Sequence, residues 1–541
     1  MTEQPAAAGP SERNAASWMA VGTLLSRLTG FVRTAALVTV LGTTRLGDAF
    51  NTANTVPNML LVLVTGGTLS SVLIPMLARE RDDAQRRHRA ETIGGLVMLG
   101  TGVASALMFL GSPIIARFFA LGLRGGPDYE AYVAVTTQWL ALFAPQILFY
   151  GISVYAVAVL NAHGRLALAG FAPVLTNVVA VGAVIAYVMT GGPSGWGQEG
   201  QPSIQQLGTT PLVVLGVGTT LSIFAMALPQ LLGARRVLPG LRLRPRLRLH
   251  DPATRELWQL GRWTLGYVAA NQVALAVIIA LANDVEGGVV AYQTAFAIMQ
   301  LPFGILAVSL FSAIYPRLAR NATREDEAFA ASVSGGFRLT ALLLVPAAAG
   351  LFALARPVTE LLVAYGATAE TGGDFIGAVV RVFAVALLPF TVFQLLTRSY
   401  YALSNTRTPM LANVAVAAVN ISFAGLATLL IADPIMRIQG LVGAYTLSYV
   451  TGCVLLGRGL VRRRPGAFAG GVRAVATSGF AALIMAAVIV GADRLLPAHQ
   501  GQLMFILRTG GLVAIGGAAY AVALIALRSR ELGELVSRRR A

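Results

Sequence analysis

Long apolar stretches, separated by short polar segments, follow one another along the whole of this 541-residue chain. Each is about 20 residues or longer, enough for an α-helix to cross a hydrocarbon layer of roughly 30 Å. Short segments of alternating polarity, which would indicate a membrane barrel, do not occur. The pattern predicts fourteen spans, at residues 18–41, 49–78, 90–112, 131–160, 167–190, 209–232, 256–282, 287–315, 330–355, 377–402, 409–431, 438–457, 472–492 and 504–527.

The fold class that this pattern predicts is an all-α polytopic membrane protein. The composition agrees, since 56% of the residues are hydrophobic and 12% are charged, which gives more apolar surface than a soluble core could bury. The net charge of +17 comes from arginine alone, because the chain has no lysine. The arginines concentrate in alternate segments between spans, so both termini are expected to face the cytoplasm and the basic loops to face membrane lipids rather than nucleic acid.

The chain also contains an internal repeat. LSSVLIPMLAR (Leu69 to Arg79) in the second span resembles LFSAIYPRLAR (Leu310 to Arg320) in the eighth. PVLTNVVAV in the fifth span resembles PMLANVAVA in the eleventh. Each match joins a span to the span six places later, so the two halves have the same orientation and form a parallel repeat that usually encloses a substrate cavity.

This repeat divides the chain into lobes. We expect a cytoplasmic tail, an N-lobe of six spans, a basic cytoplasmic linker, a C-lobe of six spans, two additional spans and a basic cytoplasmic C-terminus. Their ranges are 1–17, 18–234, 235–255, 256–460, 461–528 and 529–541.

Two arginines lie inside the first span, in SRLTGFVR. Arg27 and Arg33 are six residues apart, which places them about 9 Å apart along a helix and about 120° apart around it, so both can border one cavity. A guanidinium stays charged and binds phosphate oxygens through two parallel hydrogen bonds. We therefore predict a diphosphate site. The alternative is that Arg33 extends outward or pairs with Asp48, and that Arg27 is satisfied by carbonyls and polar neighbours.

The second span carries a polar stripe in DAFNTANTVPN. Asp48, Asn51, Asn54 and Asn58 are spaced by three, three and four residues, which puts them on one helical face. Such a stripe predicts the wall of a water-filled cavity, although asparagines also hydrogen-bond between helices.

Helix interruptions in the same regions predict hinges. Pro57 and the pair Gly66 and Gly67 interrupt the second span, and Pro302 interrupts the eighth, where Gln300 is a further candidate cavity residue.

Catalysis and metal binding are not expected. The sequence lacks the nucleotide-binding, metalloprotease and hydrolase motifs, its four histidines fall in loops, and its single cysteine, Cys453, cannot form an internal disulfide. No catalytic residue, metal ligand or cofactor is predicted.

The motifs SRLTGFVRTA, DAFNTANTVPN, GGTLSSVLIP and QLPFGILAVSLFSAIYPRLAR resemble those of the MurJ (MviN) lipid II flippases, a MATE-like family of the multidrug/oligosaccharidyl-lipid/polysaccharide exporters. The resemblance implies a fourteen-helix protein of the bacterial cytoplasmic membrane that moves the undecaprenyl-diphosphate-linked peptidoglycan precursor to the outer leaflet by alternating access. It further implies that Arg27, Arg33 and Asp48 match functional cavity residues, and that the last two spans form a groove for the lipid tail.

The chain departs from the family's pattern at several positions. Thr34 stands where many members have an acid, Leu61 and Val62 where many have arginines, and the segment 295–299 lacks a further arginine. Arg262 or Arg398 could compensate. A sodium site is not expected, because spans eleven and twelve contain no acidic residue and span seven has one only at its first position, Glu256. The membrane potential or another ion gradient is the expected driving force.

Three alternative functions remain open. A flippase for another polyprenyl-diphosphate-linked glycan would use the same cations. A MATE-type drug or cation antiporter would need a buried acid to attract its substrate. A membrane scaffold without transport would recruit cell-wall synthesis or division proteins through the basic loops.

Overall fold

The computed structural model describes residues 10–65, 83–195, 201–239, 252–322, 326–363, 366, 372–495 and 502–529. Within these ranges the chain is helical or forms short connections, and it has no β-strand. A helix satisfies its own backbone N–H and C=O groups, which lipid cannot do. The predicted all-α fold class is confirmed.

The described residues form fourteen long helices, numbered in chain order. They are α1 (Pro10–Leu41), α2 (Arg45–Thr65), α3 (Asp83–Phe119), α4 (Tyr129–Ala162), α5 (Leu166–Met189), α6 (Thr209–Val237), α7 (Pro252–Ala282), α8 (Gly288–Asn321), α9 (Asp326–Ala353), α10 (Gly372–Ala402), α11 (Arg407–Leu430), α12 (Pro434–Arg463), α13 (Gly471–Leu495) and α14 (Gln502–Ala526). A short helix, Ala355–Val363, lies between α9 and α10.

Thirteen of these helices are long and apolar enough to cross a membrane. The other, α2, begins with polar residues and is described only as far as Thr65, whereas the predicted second span continues to residue 78. The outer faces of the helices are apolar: on α3, Leu107, Leu110 and Ile114 are 64%, 75% and 72% exposed. Surfaces of this kind suit lipid and not water, so the chain is an integral membrane protein.

The chain forms two compact units that divide between Gln272 and Val273, inside α7. Unit 1 is the part before this division and unit 2 the part after it. The predicted lobe and linker boundaries rest on the expected topology and not on helix packing, and they remain predictions.

The same helix packing occurs in both units. In unit 1, α2 packs on α3 and α4, α3 packs on α4, and both α4 and α5 pack on α6. In unit 2, α8 packs on α9 and α10, α9 packs on α10, and both α10 and α11 pack on α12. Each pair recurs six helices later, as the sequence repeat predicts, although the segment 69–79 used to detect it lies outside the described residues. The additional helices α13 and α14 pack on each other, and α13 packs on α9.

Hydrogen bonds from buried side chains join the helices of unit 1. The indole Nε1 of Trp139 on α4 donates to the carbonyl of Leu212 on α6 at 3.1 Å. The amide of Gln146 on α4 donates to the hydroxyl of Thr220 on α6 at 3.2 Å. Polar bonds of this kind hold helices together where burial of apolar surface cannot, because the lipid is as apolar as the helix.

Helix α8 changes its winding in the middle. An α-helical segment ends at Pro302, a π-helical segment follows at Phe303–Ala307, and the α-helix resumes at Val308. Wide turns of this kind frequently mark functional positions in helices. The irregular segment begins directly after Pro302, which the sequence selects as a hinge, and the hinge role itself remains a prediction.

Candidate substrate-binding site

A cavity of about 280 Å³ lies inside unit 1, enclosed by α1, α2, α4, α5 and α6. Its volume is near the lower limit of about 300 Å³ for pockets that hold a small molecule. It can therefore hold a phosphate-sized group but not a complete glycolipid headgroup. The lining residues are Arg33, Leu37, Phe50, Asn54, Thr55, Asn58, Tyr150, Ala180, Val184, Thr219, Ser222 and Ile223.

Arg33 is the charged residue of this lining. Its side chain is half-buried, it makes no salt bridge with the described residues, and its buried Nε has no hydrogen-bond partner among them. A cation in these surroundings is costly unless water or an anion compensates it. The predicted alternative of a pair between Arg33 and Asp48 does not occur. The cavity is therefore electrostatically suited to an anionic group.

The position of Arg33 follows from the way α1 is fixed on α5. The amide Nδ2 of Asn177 on α5 donates to the Ser26 carbonyl at 3.0 Å and to the Thr29 hydroxyl at 2.9 Å. Gly22 allows the two helices to approach closely, because a Cβ there would lie 2.7 Å from the backbone carbon of Gly170. These contacts bring the following turns of α1 to the cavity.

Two members of the predicted stripe on α2 face the same cavity. Asn54 and Asn58 are one helical turn apart and both line it, and neither side chain hydrogen-bonds to the described part of the chain. They add amide donors and acceptors beside the Arg33 guanidinium. Asn51 does not line the cavity, since its Nδ2 donates to the Gly47 carbonyl of its own helix at 2.9 Å.

Asp48 is fully buried at the start of α2 and is not among the residues that line the cavity. Its Oδ2 lies 3.8 Å from Nη1 of Arg45, and Nε of Arg45 lies 3.8 Å from Oδ2 of Asp128. In the next turn of α2, Thr52 accepts a hydrogen bond from the Tyr132 hydroxyl at 3.1 Å. These contacts fix the start of α2 against the chain around the start of α4.

The remaining predicted residues lie elsewhere. Arg27 is exposed and does not line the cavity, and Gln300 is a partly buried residue of unit 2. Pro57 is buried within α2, between Asn54 and Asn58. Gly66 and Gly67 lie outside the described residues.

Sequence reasoning missed Tyr150, which α4 brings into the cavity. It lines the cavity together with Arg33, and its hydroxyl makes no hydrogen bond to the described residues. Thr219 and Ser222 on α6 also line the cavity, but their hydroxyls donate to carbonyls of their own helix at 2.7 and 2.6 Å. The feature of the sequence that could have identified Tyr150 is a tyrosine in the middle of an apolar span.

We expect replacement of Tyr150 by phenylalanine to lower transport about fivefold to tenfold and to leave the unfolding temperature unchanged. The hydroxyl has no hydrogen-bond partner to lose in the described part of the chain, whereas one hydrogen bond to a substrate contributes about 1 to 1.5 kcal/mol. The matched control is Tyr187→Phe, because the Tyr187 hydroxyl donates to the Pro193 carbonyl at 2.9 Å. That control should lower the unfolding temperature and preserve transport. Equal behaviour of the two variants would contradict the assignment of Tyr150.

In unit 2, aromatic rings pack between the corresponding helices. Tyr445 on α12 packs against Phe296 on α8 and Phe383 on α10, with ring centroids 6.1 and 5.7 Å apart. Tyr449 lies 5.1 Å from Phe390 in an edge-on arrangement. The two units therefore repeat the helix packing but not the polar lining.

Neither arginine that could compensate for the missing cavity cations lines the cavity of unit 1. Arg398 lies over the ring of Phe311 at 4.5 Å, within unit 2. Arg262 lies over the ring of Trp263 at 5.4 Å. Each guanidinium is engaged by an aromatic face.

The described lining of the cavity contains no acidic residue. Among the described residues, no group of three or more histidine, cysteine, aspartate or glutamate side chains could hold a metal ion. The chemistry that this cavity offers is therefore anion binding by one guanidinium, two amides and a phenol.

The fold and sequence are similar to those of known transporters. The "Probable lipid II flippase MurJ" of Haemophilus influenzae is 27% identical over 460 residues, which cover 81% of this chain and 84% of that protein. A solved structure of lipid II flippase MurJ in an inward closed conformation covers 94% of this chain and 98% of its own, with a TM-score of 0.74 and 17% identity. An inward-facing multidrug resistance MATE transporter covers 82% and 98%, with a TM-score of 0.62 and 12% identity.

The family model described as lipid II flippase MurJ matches residues 37–509. This range includes the whole of α2 to α13 and, in unit 1, the cavity residues from Leu37 onward. The family is one of transporters rather than enzymes, as the sequence predicts. The chain belongs to the lipid II flippase MurJ family.

Proposed function

We propose that this protein is a lipid II flippase, which carries the undecaprenyl-diphosphate-linked peptidoglycan precursor from the inner to the outer leaflet. The observation that carries the proposal is the guanidinium of Arg33, which has no salt bridge to the described residues. It lies in a cavity whose described lining offers amides and a phenol but no carboxylate. The curated relatives and the matched family carry the same function in their names.

In the proposed mechanism the diphosphate enters the cavity of unit 1. Arg33 binds its oxygens through two parallel hydrogen bonds, and Asn54, Asn58 and Tyr150 donate the others. The sugars and peptide exceed the 280 Å³ of this cavity and stay outside it. The polyprenyl tail remains in the lipid, where its burial needs no protein. Arg27 and Gln300 are proposed to contact the headgroup outside the cavity.

Translocation is proposed to proceed by alternating access, with bending at the prolines of α2 and α8. Pro57 lies between the two asparagines that line the cavity, so a bend there would change the distance between bound phosphate and amides. In α8, the π-helical segment after Pro302 supplies backbone groups that are already irregular.

The proposed location is the bacterial cytoplasmic membrane with both termini in the cytoplasm, which the distribution of arginines supports. The proposed driving force is the membrane potential or an ion gradient other than sodium. An inside-negative potential favours returning an empty cationic cavity inward, by about 2.3 kcal/mol per charge per 100 mV. Anionic lipids and cell-wall synthesis or division proteins are proposed partners of the basic loops.

The test is a measurement of lipid II in each leaflet of cells depleted of this protein. An externally added enzyme that cleaves only surface-exposed lipid II reports the outer-leaflet fraction. We expect that fraction to fall on depletion and to recover when the chain is expressed again. Unchanged surface exposure after depletion would refute the function. Recovery with another polyprenyl-diphosphate glycan, but not with lipid II, would identify the rival substrate.

A further inference from the structure

A second and larger cavity lies in unit 2, on the face formed by α9, α10 and α12. Its volume is about 800 Å³, and it is a groove open along its side. Val385, Val450 and Val454 on its walls are 55%, 43% and 48% exposed. Val392 and Leu396 form part of its buried floor. The groove is lined mainly by apolar side chains, so it is suited to a hydrocarbon chain.

The groove has the length of one lipid chain. Helix α12 contributes lining residues from Thr446 to Arg462, a distance of about 24 Å along the helix axis. This is more than one leaflet and less than the hydrocarbon thickness of roughly 30 Å. A single acyl chain with its phosphate group fits between these limits.

Two arginines mark one end of the groove. Arg458 and Arg462 are one turn apart at the end of α12, both line the groove and both are exposed. Neither makes a salt bridge or hydrogen bond with the described residues, whereas the neighbouring Arg464 pairs with Asp326. Like charges four residues apart destabilise a helix, so an anion shared by the two guanidinium groups would relieve their repulsion.

An aromatic pair closes the groove at this end. The rings of Phe337 on α9 and Phe468, in the connection before α13, meet edge to face with centroids 5.2 Å apart. Phe468 also lies over Gly457 of α12, where a Cβ would be 3.6 Å from the ring. The two rings form a wall between α9 and α12 beside the arginines.

The equivalent helices of unit 1, α3, α4 and α6, share a closely packed core. It includes Ala90, Val159 and Ala234. The Tyr155 hydroxyl on α4 donates to the Ala90 carbonyl on α3 at 2.8 Å and ties these helices together.

We propose that the groove binds one anionic phospholipid. The lipid belongs to the leaflet that lies at the end of α12, where the chain continues to α13. The phosphate lies between Arg458 and Arg462, and one acyl chain follows α10 and α12 to Thr446. Charge complementarity selects the anionic headgroup, since basic pockets between helices bind acidic lipids in this way. The bound lipid fills the space between α9 and α12. This site is separate from the cavity around Arg33 and does not depend on the proposed transport.

The test is native mass spectrometry of the full-length protein in detergent, titrated with phosphatidylglycerol or phosphatidylcholine. The wild-type protein should retain one phosphatidylglycerol in preference to phosphatidylcholine. The double variant Arg458→Gln/Arg462→Gln should bind phosphatidylglycerol about 25-fold more weakly, or about fivefold for each arginine. A phosphatidylglycerol with a photoreactive acyl chain should crosslink to 385–396 and 446–461.

The matched control is Arg473→Gln on α13, which is exposed and does not line the groove. This control should bind phosphatidylglycerol as the wild type does. Equal retention of phosphatidylcholine, an equal loss in the control, or crosslinks spread over other helices would overturn the proposal. Displacement of the retained lipid by a polyprenyl diphosphate at equal concentration would also overturn it, since the groove would then belong to the transported substrate.

Discussion

Replacing Arg33 by alanine should lower lipid II export by about a hundredfold or more, while the folded protein becomes no less stable. The arginine is the cation of the cavity in unit 1 and has no salt bridge to lose in the described part of the chain. Each hydrogen bond from a charged group to a phosphate contributes about 1.5 to 3 kcal/mol, and 1.36 kcal/mol corresponds to a factor of ten. Loss of a two-bond contact therefore removes at least two orders of magnitude.

Measuring the unfolding temperature distinguishes a substrate-binding role of Arg33 from a structural one. Removing an unneutralised, half-buried cation should leave the unfolding temperature in detergent equal or higher, because functional sites are often held at a cost in stability. Arg33→Lys keeps the charge but loses the planar pair of donors, so about tenfold lower export is expected. Arg117→Ala is the control, since Arg117 is exposed on α3 and lines no part of the cavity. Normal export by Arg33→Ala would eliminate the mechanism.

Replacing Asp48 by alanine should have the opposite effect and lower the free energy of unfolding by about 3 to 5 kcal/mol, the usual cost of breaking a buried ion pair. Asp48 is fully buried and Arg45, its ion-pair partner, is 9% exposed. The alanine variant would leave the Arg45 cation in a buried position without this carboxylate. Thermal unfolding of the purified protein, with folded yield as a second readout, measures the effect.

A double variant provides the internal check. Arg45→Leu/Asp48→Leu removes both charges and should recover much of the lost stability, because apolar pairs replace buried ion pairs at little cost. Asp128→Ala, at the more exposed edge of the same cluster, should cost about 1 kcal/mol or less. If Asp48→Ala unfolds at the wild-type temperature but abolishes export, Asp48 belongs to the substrate site, as the family resemblance implies.

Much of the architecture could be predicted from the sequence because lipid imposes a simple rule. A span must be apolar for about 20 residues and must satisfy its own backbone, so a hydropathy pattern predicts helices directly. The repeat was also visible, since PVLTNVVAV and PMLANVAVA lie on helices with equivalent packing. The π-helical turn after Pro302 was not, because a proline signals an interruption without specifying how the backbone adjusts.

The candidate site could be predicted only in part. Arg33, Asn54 and Asn58, which the sequence selects, line one cavity, because helical periodicity and the cost of intramembrane charge both apply to single helices. Tyr150 was missed, because its role depends on which face of α4 meets α1. Asp48 shares the stripe of Asn54 and Asn58 in sequence, but it is not among the residues that line the cavity, and its carboxylate lies beside Arg45.

The sequence by itself determined the membrane-spanning class, the duplication and the presence of two arginines in the first helix. Those properties follow from the chemistry of individual segments in lipid. Only the tertiary structure decided which polar residues meet, because that depends on how helices rotate and pack against each other. It also decided that one unit holds a polar cavity while the other holds an aromatic core and an open apolar groove. Two similar sequences adopt one packing pattern, and the side chains at its interior positions give each copy its own chemistry.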